Sequence, residues 1–284
     1  MNDILDIACL QTRPMPTFET AIEEAVGLAR SATDADLLVL PEYCGGLKSE
    51  GARLAPPAAP SDDHPVVQAF QALARERGVW ILIGSVAVTG PGDKVINRGF
   101  LLDSQGAVQA TYDKIHMFDI QLSDTEVYRE SASVAPGHHA VIHDTPWGKI
   151  GHTICYDLRF PGLYRALAQG GADMLMCPAA FTQKTGEAHW HVLNRARAIE
   201  NTCFMISPCA TGPVPGGGAC YGHSLIVDPW GTVLADGGTD PGVVRAKIDL
   251  GAVAEARRKI PSLSHDRSFS FDVEPETTSE PEVV

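Results

Sequence analysis

Apolar residues in the first ninety positions of the chain form short continuous runs separated by segments with helical spacing. The runs at 3–11, 35–42 and 79–88 predict buried strands. Residues 18–32 repeat their apolar positions at helical intervals, and residues 64–78 do the same up to a glycine that ends the pattern. This order of strand, helix, strand, helix and strand is typical of a largely parallel sheet covered by helices.

The remainder of the chain combines hairpins with single strands and helices. Residues 97–115 predict two strands joined by a Gln-Gly turn, and residues 139–155 predict a second hairpin that turns at Pro146. Helices are predicted at 160–171 and 187–201, and strands at 173–180, 202–210, 222–229, 231–236 and 243–250. The pattern therefore predicts one mixed α/β domain with two sheets.

The last residues of the chain differ in composition from the rest. Residues 271–284 carry several acids and two prolines without helical periodicity, so we expect a solvated, mobile tail behind a single domain over residues 1–270. The formal net charge of −13 argues against nucleic acid as a partner, because phosphate binding requires clustered Lys and Arg. An anionic substrate would need a local cation.

The sequence also predicts where the protein is found. No apolar run reaches the roughly 18 residues that a membrane helix requires, and the start of the chain carries acids where a signal peptide carries bases. The seven cysteines are odd in number and lack paired short spacings, which fits reduced thiols better than disulfides. We expect a cytoplasmic protein without a membrane partner.

Three predicted strands end in groups that could take part in chemistry: Glu42, Lys114 and Cys155. Each alone has an ordinary interpretation, as a solvated carboxylate, a surface lysine and a core thiol. Together they supply a base, a partner for an oxyanion and a nucleophile. Strand ends in layered α/β folds are where loops gather and sites form.

Cys155 lies at a predicted strand-to-helix turn, where backbone N–H groups can point at a developing negative charge. We expect the helix N-terminus and nearby cations to lower the pKa of this thiol. The alternative is a buried structural cysteine, although the polar residues that follow Cys155 make a poor core segment.

Three segments resemble the motifs of the nitrilase, or carbon–nitrogen hydrolase, superfamily: LVLPEYC at 38–44, YDKIHMFD at 112–119 and CYDLRFPGLYR at 155–165. Later segments around 185–201, 221–236 and 258–267 look like the amidase branch that includes deaminated-glutathione amidase and ω-amidase. The resemblance implies an α-β-β-α sandwich, a homodimer or higher homo-oligomer, and no cofactor or metal.

The resemblance also implies roles for individual residues. Glu42 would be the general base and acid, Lys114 the oxyanion stabiliser and Cys155 the nucleophile, while Glu130 would hold the lysine. The backbone N–H of Tyr156 would complete the oxyanion site. The implied reaction hydrolyses the terminal amide of a small carboxylate-bearing substrate through a thioester and releases ammonia. Deaminated glutathione or an ω-amide of an α-keto acid is the leading substrate.

Other residues leave alternatives open. Arg159 could bind a substrate carboxylate, as in similar enzymes, or form a structural ion pair, for example with Asp157. His116 is a rival base if it shares a strand face with Lys114, and a packing residue otherwise. Tyr43, Phe181 and Thr182 follow strand ends and would either line the pocket or pack in loops. Nothing in the sequence suggests a base for Cys44.

Two further classes of site find little support. His189 and His191 fall on different faces of the predicted helix, and His138-His139 has no zinc-binding frame around it, so we expect no metal. The glycines at 216–218 lack a nucleotide-binding pattern and predict a flexible loop near the pocket. An N-carbamoyl amino acid amidohydrolase remains an alternative enzyme, and a non-catalytic binding protein of the same fold remains an alternative class.

Overall fold

The computed structural model describes residues 4–51, 53–124, 127–270 and 272. The helices are α1 (Phe18–Ser31), α2 (Pro65–Arg77), α3 (Pro161–Gln169), α4 (Gln183–Asn201) and α5 (Gly251–Lys259). The strands of the first half are β1 (Ile4–Gln11), β2 (Leu37–Val39), β3 (Ser49–Glu50), β4 (Arg53–Leu54), β5 (Ala58–Ala59), β6 (Trp80–Thr89), β7 (Val95–Leu102), β8 (Val108–Asp113), β9 (Asp119–Gln121), β10 (Val127–Arg129) and β11 (Val134–Ala135). Those of the second half are β12 (Val141–Asp144), β13 (Lys149–His152), β14 (Met174–Met176), β15 (Phe204–Ser207), β16 (Thr211–Pro213), β17 (Ala219–Tyr221), β18 (Leu225–Val227), β19 (Val233–Asp236) and β20 (Gly242–Asp249).

Two large sheets form the centre of the molecule. The first has eight strands in the order β11-β7-β6-β2-β1-β20, with β5 and β8 added beside β6 and β7. The second has six strands in the order β12-β13-β14-β15-β18-β19. Strands β1, β2 and β6 run parallel, as do β13, β14 and β15. The strands β20, β7, β12 and β18 that flank these groups pair antiparallel with them. In both parallel groups the carboxyl ends of neighbouring strands lie side by side, so the residues that follow them meet.

The sheets stack with their helices outside, because successive strand side chains point to opposite faces and both faces are buried. Alternate residues such as Ile7 and Leu82 pack between the sheets against Met176 of the second sheet. Their neighbours pack outward against α1 and α2, while α3 and α4 cover the other sheet. This four-layered arrangement is the predicted α-β-β-α sandwich.

Local sequence explains the positions of several helix ends. Thr17 caps α1 by accepting a hydrogen bond from the backbone N–H of Thr20 at 3.4 Å. Pro65 occupies the first turn of α2, and Gly78 ends it in the left-handed conformation at φ +64°. These ends agree closely with the sequence-based predictions.

Some elements differ from those predictions. Helix α4 begins at Gln183, one turn before the predicted start, and β13 ends at His152 rather than running into Cys155. Helix α5 and the hairpin of β16 and β17 were not predicted at all. The predicted acidic tail lies outside the described residues except for Asp272. No helix in the part of the chain that the structure describes is long and apolar enough to cross a membrane.

Candidate active site

The ends of three strands bring Glu42, Lys114 and Cys155 together. Glu42 follows β2 of the first sheet, Lys114 follows β8 of the same sheet, and Cys155 follows β13 of the second. All three side chains line one cavity that is partly open to solvent. The site therefore lies where the two sheets meet, and each sheet supplies part of it.

Lys114 is held between two carboxylates. Its Nζ donates to Glu42 Oε1 at 2.8 Å and to both oxygens of Glu130 at 2.9 Å. Glu130 is fixed in turn by the backbone N–H of Phe118, which donates to Oε2 at 2.6 Å. The three ionisable side chains are almost completely buried. The ammonium is thus placed by two fixed partners rather than by its own flexible chain.

Glu42 has a hydrogen-bond donor at each oxygen. The side-chain amide of Asn97 donates to Oε1 at 2.9 Å, and the backbone N–H of Ala180 donates to Oε2 at 2.9 Å. The Cys155 thiol lines the same cavity as this carboxylate, close enough for the charge of Glu42 to affect its pKa. A carboxylate held on both sides presents itself to the thiol in one orientation, which suits it to transfer a proton.

The Cys155 backbone adopts a conformation that is uncommon for a residue with a side chain. Its φ is +48°, in the left-handed region, and a short 3₁₀ helix over Cys155–Arg159 begins there. The buried Asp157 carboxylate stabilises this turn by accepting from the backbone N–H of Ile154 at 2.9 Å and from the Tyr112 hydroxyl at 2.7 Å. The turn places the thiol at the cavity that Glu42 also lines.

The electrostatics of the site follow from burial and from the imbalance of one cation against two carboxylates. Burial alone would lower the pKa of the Lys114 ammonium, but the charges of Glu130 and Glu42 raise that pKa well above its usual value. Burial also raises the pKa of Glu130, against the opposing effect of Lys114. A fixed positive charge therefore remains in the cavity at neutral pH.

The expectation of a lowered thiol pKa at Cys155 is wrong. Burial raises the pKa of this thiol well above its usual value, the Glu42 carboxylate raises it further, and Lys114 opposes them without prevailing. The resting group is therefore the neutral thiol, since the apolar surroundings and the nearby carboxylate disfavour a thiolate. Any nucleophilic role requires a base in contact with the sulfur.

The other predicted pocket residues lie around the same cavity. Tyr43, Tyr156, Phe181 and Thr182 all line it. The Tyr43 hydroxyl donates to Glu130 Oε1 at 3.4 Å. The glycine-rich segment between β16 and β17 also reaches the cavity, through residues 217–218. Aromatic, aliphatic and small residues share the walls, and the charged groups Glu42, Lys114 and Glu130 lie together.

Arg159 lies beside the cavity wall. Its guanidinium carbon is 5.9 Å from the ring centroid of Tyr156 and 5.4 Å from that of Phe181. The proposed alternative, an ion pair with Asp157, does not form, because the Asp157 oxygens accept from Tyr112, Ile154 and His116 instead.

His116 and Cys44 lie outside the cluster of charged groups. The His116 Nδ1 is 2.7 Å from Asp157 Oδ1, and its ring stacks on Phe160 with centroids 3.5 Å apart. Cys44 donates to the carbonyl of Ser85 at 3.4 Å, and burial raises the pKa of its thiol to about 12. His116 thus supports the Cys155 turn through Asp157, and Cys44 packs in the core.

Sequence reasoning missed Asn97 and the anchoring role of Asp157. Asn97 is a fully buried amide within the mostly apolar strand β7, and a polar side chain in such a strand is a usable signal. Asp157 lies within the cysteine motif, two positions after Cys155, but its partners Tyr112 and His116 belong to another segment. Only the tertiary structure identifies these contacts.

Comparisons with known proteins agree with this geometry. The model of the carbon-nitrogen hydrolase family matches residues 6–258. A relative named deaminated glutathione amidase, from Synechocystis sp. (strain PCC 6803 / GT-S), is 39% identical over 264 residues, which cover 91% of this chain and 96% of the relative.

Two solved structures have the same fold. The C. elegans NitFhit protein superposes with a TM-score of 0.84 at 32% identity; the match covers 93% of this chain and 65% of that longer protein. Saccharomyces cerevisiae Nit3, described as a member of branch 10 of the nitrilase superfamily, gives 0.79 at 27% identity, covering 91% and 94%. These likenesses confirm the predicted fold class. The chain therefore belongs to the carbon-nitrogen hydrolase family, and the prediction that it is an enzyme that cleaves amide C–N bonds is confirmed.

Proposed function

We propose that the protein hydrolyses the ω-amide of a small keto acid through Cys155, with deaminated glutathione or a primary ω-amide as the substrate. The observation that carries this proposal is the convergence of the Cys155 thiol, the Glu42 carboxylate and the Lys114 ammonium on one cavity, with Lys114 bonded to Glu42. The name of the Synechocystis relative supports the choice of substrate.

The first chemical step is attack on the amide carbonyl. Glu42 takes the thiol proton as the sulfur of Cys155 bonds to the carbonyl carbon, so a free thiolate need not accumulate. The carbonyl oxygen gains a negative charge, which the Lys114 ammonium and the backbone N–H of Tyr156 stabilise. Glu130 keeps the ammonium in place while Glu42 changes protonation state.

The second step exchanges the amine for water. Glu42 returns its proton to the departing nitrogen, which leaves an acyl thioester on Cys155. The same carboxylate then takes a proton from water, and the resulting hydroxide attacks the thioester. The carboxylic acid product leaves, and the thiol regains its proton from Glu42. One carboxylate thus serves each proton transfer in turn.

The leaving group depends on the substrate, and the expectation of ammonia applies only to a primary amide. In deaminated glutathione the amide nitrogen belongs to the cysteinylglycine portion, so hydrolysis releases that dipeptide. Both substrate types yield a free dicarboxylic keto acid. An assay for that common product covers both.

We also propose that Arg159 binds a substrate carboxylate. Its guanidinium lies over two cavity-lining rings, and Asp157 does not neutralise it. Replacement of Arg159 by methionine should raise KM for a keto-acid amide at least tenfold with a smaller change in kcat, and Arg159→Lys should restore part of the affinity. Equal KM values for all three proteins would rule out this contact.

The proposed activity is tested by product release from four compound classes: deaminated glutathione, ω-amides of α-keto acids, N-carbamoyl amino acids and nitriles. We expect the first two to be hydrolysed and Cys155→Ala to abolish that hydrolysis. Cys44→Ala is the matched control, because this second buried thiol has no carboxylate partner, and it should retain activity. Preferential hydrolysis of carbamoyl compounds would replace the proposed substrate, and rates independent of Cys155 would refute the mechanism.

We infer that the chain assembles as a homodimer or larger homo-oligomer. Val192 and Ile199 are 66% and 47% exposed on α4. Seven positions apart, they lie on one helical face, and such exposed apolar pairs favour an interface. Light scattering should give at least twice the chain mass, and Val192→Asp should reduce it. A monomer at micromolar concentration would contradict this inference.

We further propose a cytoplasmic location. All seven cysteines are free thiols in the structure, which fits a reducing compartment. Localisation of a tagged full chain tests this, and an exported product would contradict it.

A further inference from the structure

A second cluster of polar side chains lies apart from the residues that line the cavity. His191 belongs to α4, His223 lies between β17 and β18, and Asp236 ends β19. The His191 Nε2 is 2.9 Å from Asp236 Oδ2, and the His223 Nδ1 is 2.8 Å from Asp236 Oδ1. Three separate segments thus direct two imidazole nitrogens at one carboxylate.

The local backbone holds this cluster in place. His223 has a φ of +52°, a left-handed conformation that is uncommon for a residue with a side chain. Its backbone N–H donates to the Gly238 carbonyl at 2.6 Å, and the Gly238 N–H donates to Asp236 Oδ1 at 2.9 Å. The ring of Tyr221 stacks on that of His223 with centroids 4.5 Å apart. The imidazole of His223 is therefore oriented by its surroundings before any ligand arrives.

We propose that His191 Nε2, His223 Nδ1 and the Asp236 carboxylate form a binding site for a divalent transition metal, with zinc as the ion of choice. The three ligand atoms lie within 4.8 Å of one another. Zinc bonds of 2.0–2.1 Å to nitrogen imply ligand separations of roughly 3.3 Å at the corners of a tetrahedron. Small side-chain movements therefore reach that geometry.

The chemistry of the donor set fits the same ion. Two imidazoles and a carboxylate are borderline ligands that zinc accepts, and partial exposure of all three leaves a fourth position for water. Zinc binding requires each histidine to bind through a ring nitrogen that carries no proton, so the ion would displace the hydrogen bonds that join these nitrogens to Asp236.

A metal here would connect α4 to the segment that forms one cavity wall. Tyr221 contacts the α4 backbone at Gly186, where an added Cβ would lie 2.3 Å from its ring. The preceding residues Ala219 and Cys220 line the cavity. Zinc would thereby stabilise the folded protein and stiffen that wall, without contacting the substrate.

The test begins with the full chain carrying Cys155→Ser, which removes the active-site thiol as a competing zinc ligand. Calorimetric titration with zinc chloride at pH 7.5 should give one zinc per chain. His191→Ala in the same background should weaken binding roughly tenfold or more. His189→Ala is the matched control, because it removes an exposed histidine two positions away on the same helix, and it should bind as the parent does.

Two results would overturn the proposal: no zinc binding by the parent, or equal affinity of the His191→Ala and His189→Ala proteins. Circular dichroism without metal checks that both variants fold. Cobalt absorption of the Cys155→Ser protein supplies a readout that needs no histidine variant. Cobalt in a tetrahedral site of nitrogen and oxygen ligands absorbs in the visible range without a thiolate-to-cobalt charge-transfer band. A strong charge-transfer band would show that the metal binds a cysteine instead, which would refute the assignment.

Discussion

Two clusters in this enzyme have the same arrangement but differ in burial. In each, one charged side chain lies between two side chains that can carry the opposite charge. Lys114 lies between Glu42 and Glu130, and these side chains are 1–3% exposed. Asp236 lies between His191 and His223, and these side chains are 23–34% exposed. Hydrogen-bond lengths are almost equal in the two clusters, so geometry alone does not distinguish them.

Burial gives the two clusters different consequences. In the interior, where the effective dielectric constant is low, each charge depends on its partners, and the loss of one leaves the others without compensation. At the surface, water replaces a missing partner at little cost. We therefore expect the buried cluster to lose much of its stability when one member is removed, whereas the partly exposed cluster should tolerate the loss of a partner.

The largest expected effect is that of Lys114→Ala. This change leaves two carboxylates buried without a cation, so we expect a loss of about 3–5 kcal/mol in the free energy of unfolding at pH 7. The loss of an oxyanion donor should also lower kcat by about 10²–10³-fold. Urea unfolding and steady-state kinetics measure the two effects.

The pH dependence of stability in Lys114→Ala, and a control variant at a surface lysine, test this prediction further. Burial raises the pKa of Glu130 and Lys114 opposes this effect. Without the ammonium, the pKa of the Glu130 carboxyl in the folded state should rise further above that in the unfolded chain, so the variant should become less stable as pH rises. Lys149 pairs with Asp144 at 3.2 Å on the surface, and Lys149→Ala should cost at most about 1 kcal/mol. Similar losses in the two lysine variants would remove the distinction between buried and exposed clusters.

Glu42→Gln tests the buried cluster without removing a cation. We expect kcat to fall by about 10²–10⁴-fold, because the amide cannot accept the thiol proton. Its NH₂ group would also face the backbone N–H of Ala180, which now donates to Glu42, at a cost of about 1–3 kcal/mol in stability. Activity within tenfold of the unaltered enzyme would assign the base to another residue.

The strand pattern made much of this site predictable. Glu42, Lys114 and Cys155 each follow an apolar strand, and a layered fold gathers the residues at such positions. Their convergence could therefore be inferred before the coordinates were known. Helix α5 was not predicted, because only Val253 and Ala256 among its residues are buried. Two buried positions are too few to give a recognisable apolar face in the sequence.

The partners of these residues could not be predicted in the same way. The donors to Glu42 come from Asn97, 55 positions away, and from the backbone of Ala180, 138 positions away. Every residue except proline has a backbone N–H, so the sequence does not indicate which one donates to Glu42. The raised pKa of the Cys155 thiol was missed because burial, which depends on the complete packing, outweighs the single neighbouring cation.

Two buried, neutral histidines form a third cluster. We expect it to have an effect of intermediate size on the pH dependence of stability. Burial lowers the pKa of His143 to about 4 and that of His152 to about 3. Between pH 6.5 and 4 the unfolded chain binds protons that the folded chain excludes, so stability should fall as pH falls through this window. His143→Leu should flatten the slope by up to about 1.4 kcal/mol per pH unit.

Urea unfolding at several pH values between 7 and 4 measures this slope. His138 is exposed, and His138→Leu should leave the slope unchanged, which makes it the control. An unaltered slope in His143→Leu would mean that this histidine is protonated equally in the folded and unfolded states. The comparison of buried with exposed groups would then fail for histidine.

The smallest effect should belong to His191→Ala in the absence of metal. Its bond to Asp236 is partly exposed, so the free energy of unfolding should change by at most about 1 kcal/mol. Alanine also favours the helix in which His191 lies, which offsets part of the lost contact. Urea unfolding in the presence of a chelator measures the change. A loss of 3 kcal/mol or more would mean that Asp236 depends on this histidine as strongly as Glu42 and Glu130 depend on Lys114, and exposure would no longer explain the difference between the clusters.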